Sequence, residues 1–307
     1  MPALRREVDA QGEIMKPGIY DIPAAQYHAD CADGVSLSSH IIHTLLTHSP
    51  RHAWFEHPRL NPNHKPEEKT EFDLGACSHA TLFEGEGNIQ AIEADDWRTK
   101  AAKEARDQAR AQGKIPVLAA KLTAIRAMAD AARAALLACE LGPIDLTTGK
   151  AEQTLIWQEG DVWCRARPDW MRADRKLIID YKSTAGSAEP SAWIRNQMMP
   201  MGFDVQAAHY LRGNAAISGN RDVRWLFLVQ ENYEPYECSF VGVSPATLEI
   251  AQRKWDFAVA LWQSCINKNR WNGYPRRIAY AEPTSWQMDE DEERRLTFEE
   301  RLELLNA

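Results

Sequence analysis

Two aspartates and a lysine, Asp169, Asp180 and Lys182, lie in a stretch that alternates between polar and apolar residues. Alternate side chains of a strand share one face of a sheet, so Asp180 and Lys182 point the same way. Two carboxylates at one point suit Mg²⁺, a hard cation that takes oxygen ligands. A nearby lysine could hold a metal-bound water, help to deprotonate it, or stabilise charge on a phosphate. The three residues therefore indicate metal-assisted phosphoryl chemistry.

The surrounding residues predict a β-hairpin that would bring the two aspartates together. Its first strand runs from Val162 to Met171, its turn from Arg172 to Lys176, and its second strand from Leu177 to Lys182. The expected cross-strand pairs are Asp169 with Asp180, Arg167 with Lys182, and Met171 with Ile178. This register centres the turn on polar residues, as a surface turn requires.

One face of the predicted hairpin is charged and the other is apolar. The charged face carries Arg165, Arg167, Asp169, Asp180 and Lys182. The apolar face carries Val162, Cys164, Ala166, Trp170, Leu177, Ile179 and Tyr181. Burying such charges is costly unless they pair with one another or bind a metal. A solvent-facing hairpin with cross-strand ion pairs is the alternative interpretation.

Polar residues on two predicted helices flank the hairpin. Gly75 and His79 are four apart on a helix predicted from Phe72 to Glu84, so they share a face. The glycine permits close backbone approach, and the imidazole can reach a metal or a phosphate. Gln206 and Tyr210 have the same spacing and could orient phosphate or nucleobase groups. Each pair could instead serve helix packing alone.

These motifs occur in the order found in one nuclease superfamily. Pro168-Asp169 and Asp180-Tyr181-Lys182 resemble the two halves of the PD-(D/E)xK signature. The flanking helices resemble the GxxxH and QxxxY motifs of its RecB-like branch. The sequence is most similar to the RecE-type (exonuclease VIII-like) nuclease domain of phages and prophages, from about Gly18 to about Val243. Further segments that carry the resemblance are Gly18-Ile19-Tyr20, Ser36-Leu37-Ser38-Ser39-His40, Ser49-Pro50 and Ala151-Glu152.

The resemblance implies a fold and a set of site residues. The fold class would be mixed α/β, with a restriction-endonuclease-like core in which helices flank a central mixed β-sheet, and with helical additions. One or two Mg²⁺ or Mn²⁺ ions would bind to Asp169, Asp180, His79 and the carbonyl of Tyr181, with Glu152 either helping or simply beginning a strand. Lys182 would position the attacking water. The expected DNA contacts are Arg165, Arg167, Arg195, Gln206 and Tyr210.

The resemblance also implies an activity and partners. The protein would be a 5′-to-3′ exodeoxyribonuclease that acts on the ends of linear double-stranded DNA and leaves 3′ single-stranded overhangs. Recombination by strand annealing would follow, with a RecT-like annealing protein as partner and a ring-shaped homo-oligomer, a tetramer, as the assembly. The alternatives are an endonuclease, a nuclease for single strands or RNA, and a DNA-binding module without catalysis.

Composition restricts the remaining possibilities. The formal net charge is −8, which argues against a protein that coats DNA but leaves room for a local basic channel. No segment approaches the roughly 20 apolar residues of a membrane span, and we expect a cytoplasmic protein of a bacterial host. The six cysteines occur singly, without a CxxC pair, so no iron–sulfur cluster is expected.

The chain is expected to form one nuclease domain with additions. Residues 1–17 would be a poorly ordered lead, 18–285 the domain, and 286–307 a charged helical tail, which could dock the annealing protein. A helical insertion over about 97–141 would contain two helices that break near Gly113 to Pro116. Other expected elements are a helix capped by Ser38 or Ser39, a helix from Arg51 to Glu56, a loop from Asn61 to Lys69, strands at Arg224 to Gln230 and Tyr236 to Val243, and a helix from Pro245 to about Asn267.

Overall fold

The computed structural model describes residues 15–65 and 74–306, without the side chains of residues 74–76 and 306. Three predicted features therefore fall partly outside the described residues: the lead over 1–17, the loop to Lys69 and the helix start at Phe72. The chain divides into two units, Met1–Gly273 and Tyr274–Ala307. The predicted boundary between domain and tail, at residue 286, stays a prediction.

The first unit contains both strands and helices. Its strands, within the described residues, are β1 (Gly18–Tyr20), β2 (Ser36–Leu37), β3 (Ile89–Ile92), β4 (Ile115–Leu118), β5 (Gly149–Ala151), β6 (Thr154–Glu159), β7 (Val162–Ala166), β8 (Trp170–Arg172), β9 (Leu177–Thr184), β10 (Arg224–Glu231) and β11 (Cys238–Gly242). Its helices are α1 (Ala24–His28), α2 (Ser39–Thr47), α3 (Pro50–Glu56), α4 (Leu74–Phe83), α5 (Lys100–Ala111), α6 (Leu122–Leu137), α7 (Pro190–Trp193), α8 (Phe203–Ser218) and α9 (Pro245–Lys268).

The central sheet has five strands in the order β11-β10-β9-β8-β5. Strands β9 and β10 run parallel, and the other neighbours are antiparallel. Alternate residues of β9 face opposite cores: Ile178 packs with Phe227 and the residues of α8 and α9, whereas Ile179 packs with Leu228 and the residues of α6. Helices therefore cover both faces of a mixed sheet, which confirms the predicted α/β class.

A second sheet lies beside the first in the order β1-β6-β7-β2. Its strands pair antiparallel except for β2 with β7, which are parallel. Helix α8 packs against β6 and β7 as well as against α9 and α2. At the contact with β6, Gly213 leaves room for the ring of Trp157, which a Cβ atom would approach to 2.7 Å. Helix α8 is thus held against the second sheet.

The predicted hairpin is correct at its turn end and wrong at its other end. Strands β8 and β9 pair Met171 with Ile178 and Trp170 with Ile179, in the predicted register. The first strand, however, is not continuous to Val162, because the chain leaves the ladder between Ala166 and Trp170. Pro168 lies in this break and has no backbone N–H to donate to a ladder. Strand β7 pairs with β6 in the other sheet, so the predicted pair of Arg167 with Lys182 does not form.

The same break corrects the predicted faces. Trp170, Leu177, Ile179 and Tyr181 share one buried cluster, as predicted. Val162, Cys164 and Ala166 belong instead to the other cluster, together with Met171 and Ile178. A strand that moves from one sheet to another changes the core that its apolar side chains enter.

Helices α2, α3 and α9 begin at or within one residue of the predicted positions. The Ser38 hydroxyl caps α2 by accepting from the backbone N–H of Ile41 at 3.4 Å. Pro50 and Pro245 open α3 and α9, where a missing N–H has no cost. The predicted insertion contains α5 and α6, but it also contains β4, which pairs in parallel with β3 and was not predicted. Cys77 of α4 packs against this insertion with Val117 and Ile125.

The second unit contains helix α10 (Ser285–Asn306), in agreement with the predicted helical tail.

None of the helices in the described residues combines the length and apolar character that crossing a bilayer requires. No disulfide joins any of the six cysteines, all of which lie in the described part of the chain.

Candidate metal and active site

Three side chains from separate elements converge beside the central sheet. His79 comes from α4, Glu152 directly follows β5, and Asp169 directly precedes β8. One ligand atom from each of them lies within 4.8 Å of the others. His79 Nε2 is 3.3 Å from Glu152 Oε1 and 3.3 Å from Asp169 Oδ1. An imidazole and two carboxylates at this spacing are a donor set that fits a divalent cation.

Backbone hydrogen bonds fix the carboxylate of Asp169 and the main chain of Glu152. Asp169 Oδ2 accepts from the backbone N–H of Tyr181 at 2.6 Å, which ties the residue before β8 to the middle of β9. The N–H of Glu152 donates to the carbonyl of Asp169 at 3.1 Å. Glu152 also has a φ of 54°, a left-handed conformation that costs energy for a residue with a side chain. Such strain at a residue of the site is typical of a functional position.

The three groups shift one another's protonation. Burial opposes the charge of His79, but the carboxylates of Asp169 and Glu152 outweigh it and raise the pKa of His79 to about 9. Burial likewise opposes ionisation of Asp169, yet the charge of His79 and their hydrogen bond leave the pKa of Asp169 lowered. Burial and the charge of Asp169 raise the pKa of Glu152. Ionisable groups whose pKa values are shifted in this way are frequent at functional sites.

Asp180 and Lys182 form the second part of the site, on the central strand β9. Asp180 is only 1 % exposed, and its Oδ1 forms a close ion pair with Lys182 Nζ. Its Oδ2 accepts from the side-chain amide of Gln206 on α8 at 2.9 Å. Burial and the charge of Asp169 raise the pKa of Asp180. Both oxygens of Asp180 thus have protein partners, and its predicted role as a metal ligand stays a proposal.

Tyr210 lies one helical turn after Gln206, as the QxxxY spacing predicts. Its side chain is buried, and its ring packs edge-on against Trp225 at 5.5 Å between centroids. Burial and the charge of Asp180 raise the pKa of Tyr210. The phenol therefore stays neutral in this buried position. Tyr181 points its own hydroxyl elsewhere, donating to Gln230 Oε1 at 2.6 Å.

Sequence reasoning missed the aromatic surface under Lys182. Its Nζ lies 4.7 Å from the ring centroid of Phe203 and 6.0 Å from that of Phe227. Phe203 in turn stacks on the buried Trp193 at 5.8 Å. A cation over aromatic faces is stabilised by the ring quadrupoles. The sequence signal was weak, because Phe203 stands three residues before Gln206 in an otherwise ordinary helix start.

The three predicted arginines go to different places. Arg165 is 4 % exposed, and its Nη1 contacts Asp30 Oδ1 at 3.0 Å and donates to the Ser36 carbonyl at 2.7 Å. Arg167 is turned towards Glu152, with which it forms a close ion pair. Arg195 is exposed on the π-helical turn Ile194–Met198 that follows α7. Arg195 is therefore the one of the three whose side chain a DNA backbone could reach directly.

Comparison with known proteins adds independent information. The family model of the PDDEXK-like domain of unknown function (DUF3799) matches residues 46–284, a span that includes the entire site. A crystal structure from Eubacterium rectale, named "Putative exonuclease", is similar at a TM-score of 0.55 and 12 % identity over 87 % of this chain and 97 % of that chain. This likeness shows a shared fold.

A second structure is less similar. The alkaline exonuclease from Laribacter hongkongensis gives a TM-score of 0.27 at 14 % identity, over 61 % of this chain and 94 % of that chain. A TM-score this low carries no argument. No curated protein matches the sequence.

Proposed function

This chain belongs to the family of PDDEXK-like domains (DUF3799), and on that premise we propose that it is a divalent-metal-dependent deoxyribonuclease. The predicted PD-(D/E)xK membership is thereby confirmed, while the RecE-type subfamily stays a prediction. The observation that carries the proposal is the convergence of His79, Glu152 and Asp169 beside the ion pair of Asp180 and Lys182. Such a donor set next to a cationic group suits the metal-assisted hydrolysis of phosphodiesters.

The residues that would hold the cation are His79, Glu152 and Asp169, with Asp180 and the carbonyl of Tyr181 as further ligands. A bound Mg²⁺ or Mn²⁺ would supply Lewis-acid stabilisation of the charge on the scissile phosphate. The fixed positions of Asp169 and Glu152 support this assignment, because ligands that the fold has already oriented lose little freedom on binding.

Lys182 would hold the attacking water and lower the cost of charge that develops on the phosphate. Its side chain is 19 % exposed, so it can reach a substrate while remaining in contact with Asp180. The amide of Gln206 holds the other oxygen of Asp180, which keeps this carboxylate turned towards the lysine. Phe203 limits the movement of the ammonium on the opposite side.

We further propose the finer activity that the RecE-type resemblance implies. The substrate would be linear double-stranded DNA, degraded from its 5′ ends to leave 3′ overhangs for strand annealing. The DNA contacts would include Arg195 and Gln206, whereas the buried side chain of Tyr210 would not reach the DNA directly. The protein would have a RecT-like annealing protein as its partner and would assemble into a ring-shaped homo-oligomer.

Digestion of end-labelled DNA tests this function. Linear duplex labelled at either the 5′ or the 3′ end is incubated with Mg²⁺ or with EDTA, beside a covalently closed circle. We expect early release of the 5′ label in Mg²⁺ only, with the circle intact, because an exonuclease requires an end. Cleavage of the circle would indicate an endonuclease instead. Absence of cleavage with Mg²⁺ and with Mn²⁺ would overturn the proposal in favour of a DNA-binding module.

A further inference from the structure

Arg167 points into the protein, towards the candidate metal site, and not towards a DNA surface. Its side chain is 11 % exposed, and its Nε forms a close ion pair with Glu152 Oε2. Its Nη1 donates to the carbonyl of Ile22 at 2.8 Å and to Thr154 Oγ1 at 3.3 Å. The ring of Tyr27 lies 6.0 Å from the guanidinium carbon. The guanidinium is thus fixed by partners on several elements and has little freedom to reach a ligand in solvent.

The two carboxylate oxygens of Glu152 contact different groups. Oε2 is taken by Arg167, whereas Oε1 faces His79 Nε2 at 3.3 Å and belongs to the group of converging ligand atoms. Only one rotation of the carboxylate satisfies both contacts. Without a partner on Oε2, the side chain could turn either oxygen, or neither, towards His79.

The break after β7 explains how Arg167 comes to this position. Arg167 and Asp169 flank Pro168 where the chain leaves one sheet and enters the other. Asp169 enters the site itself, while Arg167 reaches the carboxylate of Glu152, whose backbone N–H donates to the Asp169 carbonyl. A three-residue segment therefore supplies one candidate ligand and fixes a second.

We propose that Arg167 is a positioning residue that orients Glu152 for binding a divalent cation. The proposal rests on the proposed function only in that Glu152 is taken as a ligand. Partners that orient metal ligands typically contribute 10- to 100-fold in metal affinity. The planar fork of arginine holds a carboxylate and a carbonyl at once, a geometry that the single ammonium of lysine does not reproduce.

Titration calorimetry with Mn²⁺ alone tests the proposal without any cleavage assay. Arg167→Lys keeps the positive charge and loses the fork, so we expect its Mn²⁺ affinity to fall about 10- to 100-fold. The Mn²⁺ affinity of Arg167→Gln should fall by a similar factor. If Arg167 acted only as a charge that repels the cation, Arg167→Gln would bind Mn²⁺ more tightly and Arg167→Lys would match the wild type, and either result would overturn the proposal.

Arg165→Lys is the matched control, because Arg165 lies on β7 two residues earlier and is a buried arginine paired with a carboxylate outside the site. Both lysine variants are expected to melt at lower temperature. Only Arg167→Lys should lose Mn²⁺ affinity. A merely structural role for Arg167 predicts equal Mn²⁺ affinity in the two variants.

A double variant shows whether Arg167 acts through Glu152. Glu152→Gln removes the candidate ligand, so adding Arg167→Lys to it should change Mn²⁺ affinity no further. Additive losses would contradict positioning, and so would a wild-type protein that binds no Mn²⁺. Wild-type protein that binds Mn²⁺ with this variant pattern but cuts no DNA would overturn the proposed function and leave the present inference intact.

Discussion

The ion pair of Asp180 and Lys182 combines a proposed catalytic role with a structural cost. Asp180 is 1 % exposed, so removing the cation beside it leaves a buried carboxylate without its charge partner. We predict that Lys182→Met lowers cleavage by about 100-fold or more and lowers the free energy of unfolding at pH 7 by about 3 kcal/mol. Cleavage assays and urea unfolding measure the two effects.

A second substitution separates them. Replacing the carboxylate as well, in Asp180→Asn with Lys182→Met, removes the buried charge and should recover most of the lost stability without restoring cleavage. If Lys182→Met were as stable as the wild type, the ion pair would not be the buried interaction that we describe.

At this scale the sequence predicts part of the site. Strand alternation placed Asp180 and Lys182 on one face, and the register of Met171 with Ile178 is confirmed. Extending the strand alternation through Pro168 places Arg165 on the same face, and this prediction is wrong, because the strand breaks there. The alternation of residues predicts which face of one strand a side chain occupies, but it does not show that the chain passes from one sheet to another. The partners of Arg165 lie more than a hundred residues earlier, in the loop before β2 and at its first residue.

Strand β5 brings Glu152 to Asp169, and a glycine allows it to do so. A Cβ atom at Gly149 would lie 2.4 Å from the carbonyl oxygen of Met171 and 2.5 Å from the indole of Trp170. We predict that Gly149→Ala pushes β5 away from β8, costs about 1–3 kcal/mol of unfolding free energy, and weakens Mn²⁺ binding.

Gly87→Ala is the control for this prediction, because a Cβ atom there meets nothing within 4 Å. Thermal unfolding and Mn²⁺ titration of the two variants provide the comparison. Unchanged Mn²⁺ affinity in Gly149→Ala would show that the spacing of β5 and β8 does not govern the position of Glu152.

Elements with strong local signals were predictable and short ones were not. Capping serines and N-terminal prolines placed the starts of α2, α3 and α9. Strands β3 and β4 have four residues each and, in the part of the chain that the structure describes, pair with no other strand; β4 also contains Pro116. Their hydrophobic residues are too few to establish a period, so only the folded insertion reveals the pairing.

At the scale of the whole molecule, buried neutral histidines should make the folded state less stable in acid. His209 accepts from Trp255 Nε1 at 2.9 Å and donates to the Arg165 carbonyl at 3.0 Å. Burial lowers the pKa of His209 to about 3. Below pH 6.5, His209 is therefore protonated in the unfolded chain but stays neutral in the folded chain. The free energy of unfolding falls as the pH falls towards 3.

We predict that His209→Gln is less stable than the wild type at pH 7.5, because it loses these contacts. Between pH 7.5 and pH 5, the free energy of unfolding of His209→Gln should fall by about 2 kcal/mol less than that of the wild type. Urea unfolding at both pH values measures this, with the exposed His40→Gln as control. Equal pH dependence in all three proteins would contradict a neutral buried His209.

The most direct test of the metal site compares two aspartates under one assay. Asp169→Asn changes a carboxylate of the converging group, whereas Asp174→Asn changes one in the turn between β8 and β9, where it contacts Arg172. We measure cleavage of linear duplex DNA in Mg²⁺ and in EDTA. The account predicts that the wild type and Asp174→Asn cut only in Mg²⁺, and that Asp169→Asn does not cut. Cleavage by Asp169→Asn at the wild-type rate, or by any of the three proteins in EDTA, would contradict it.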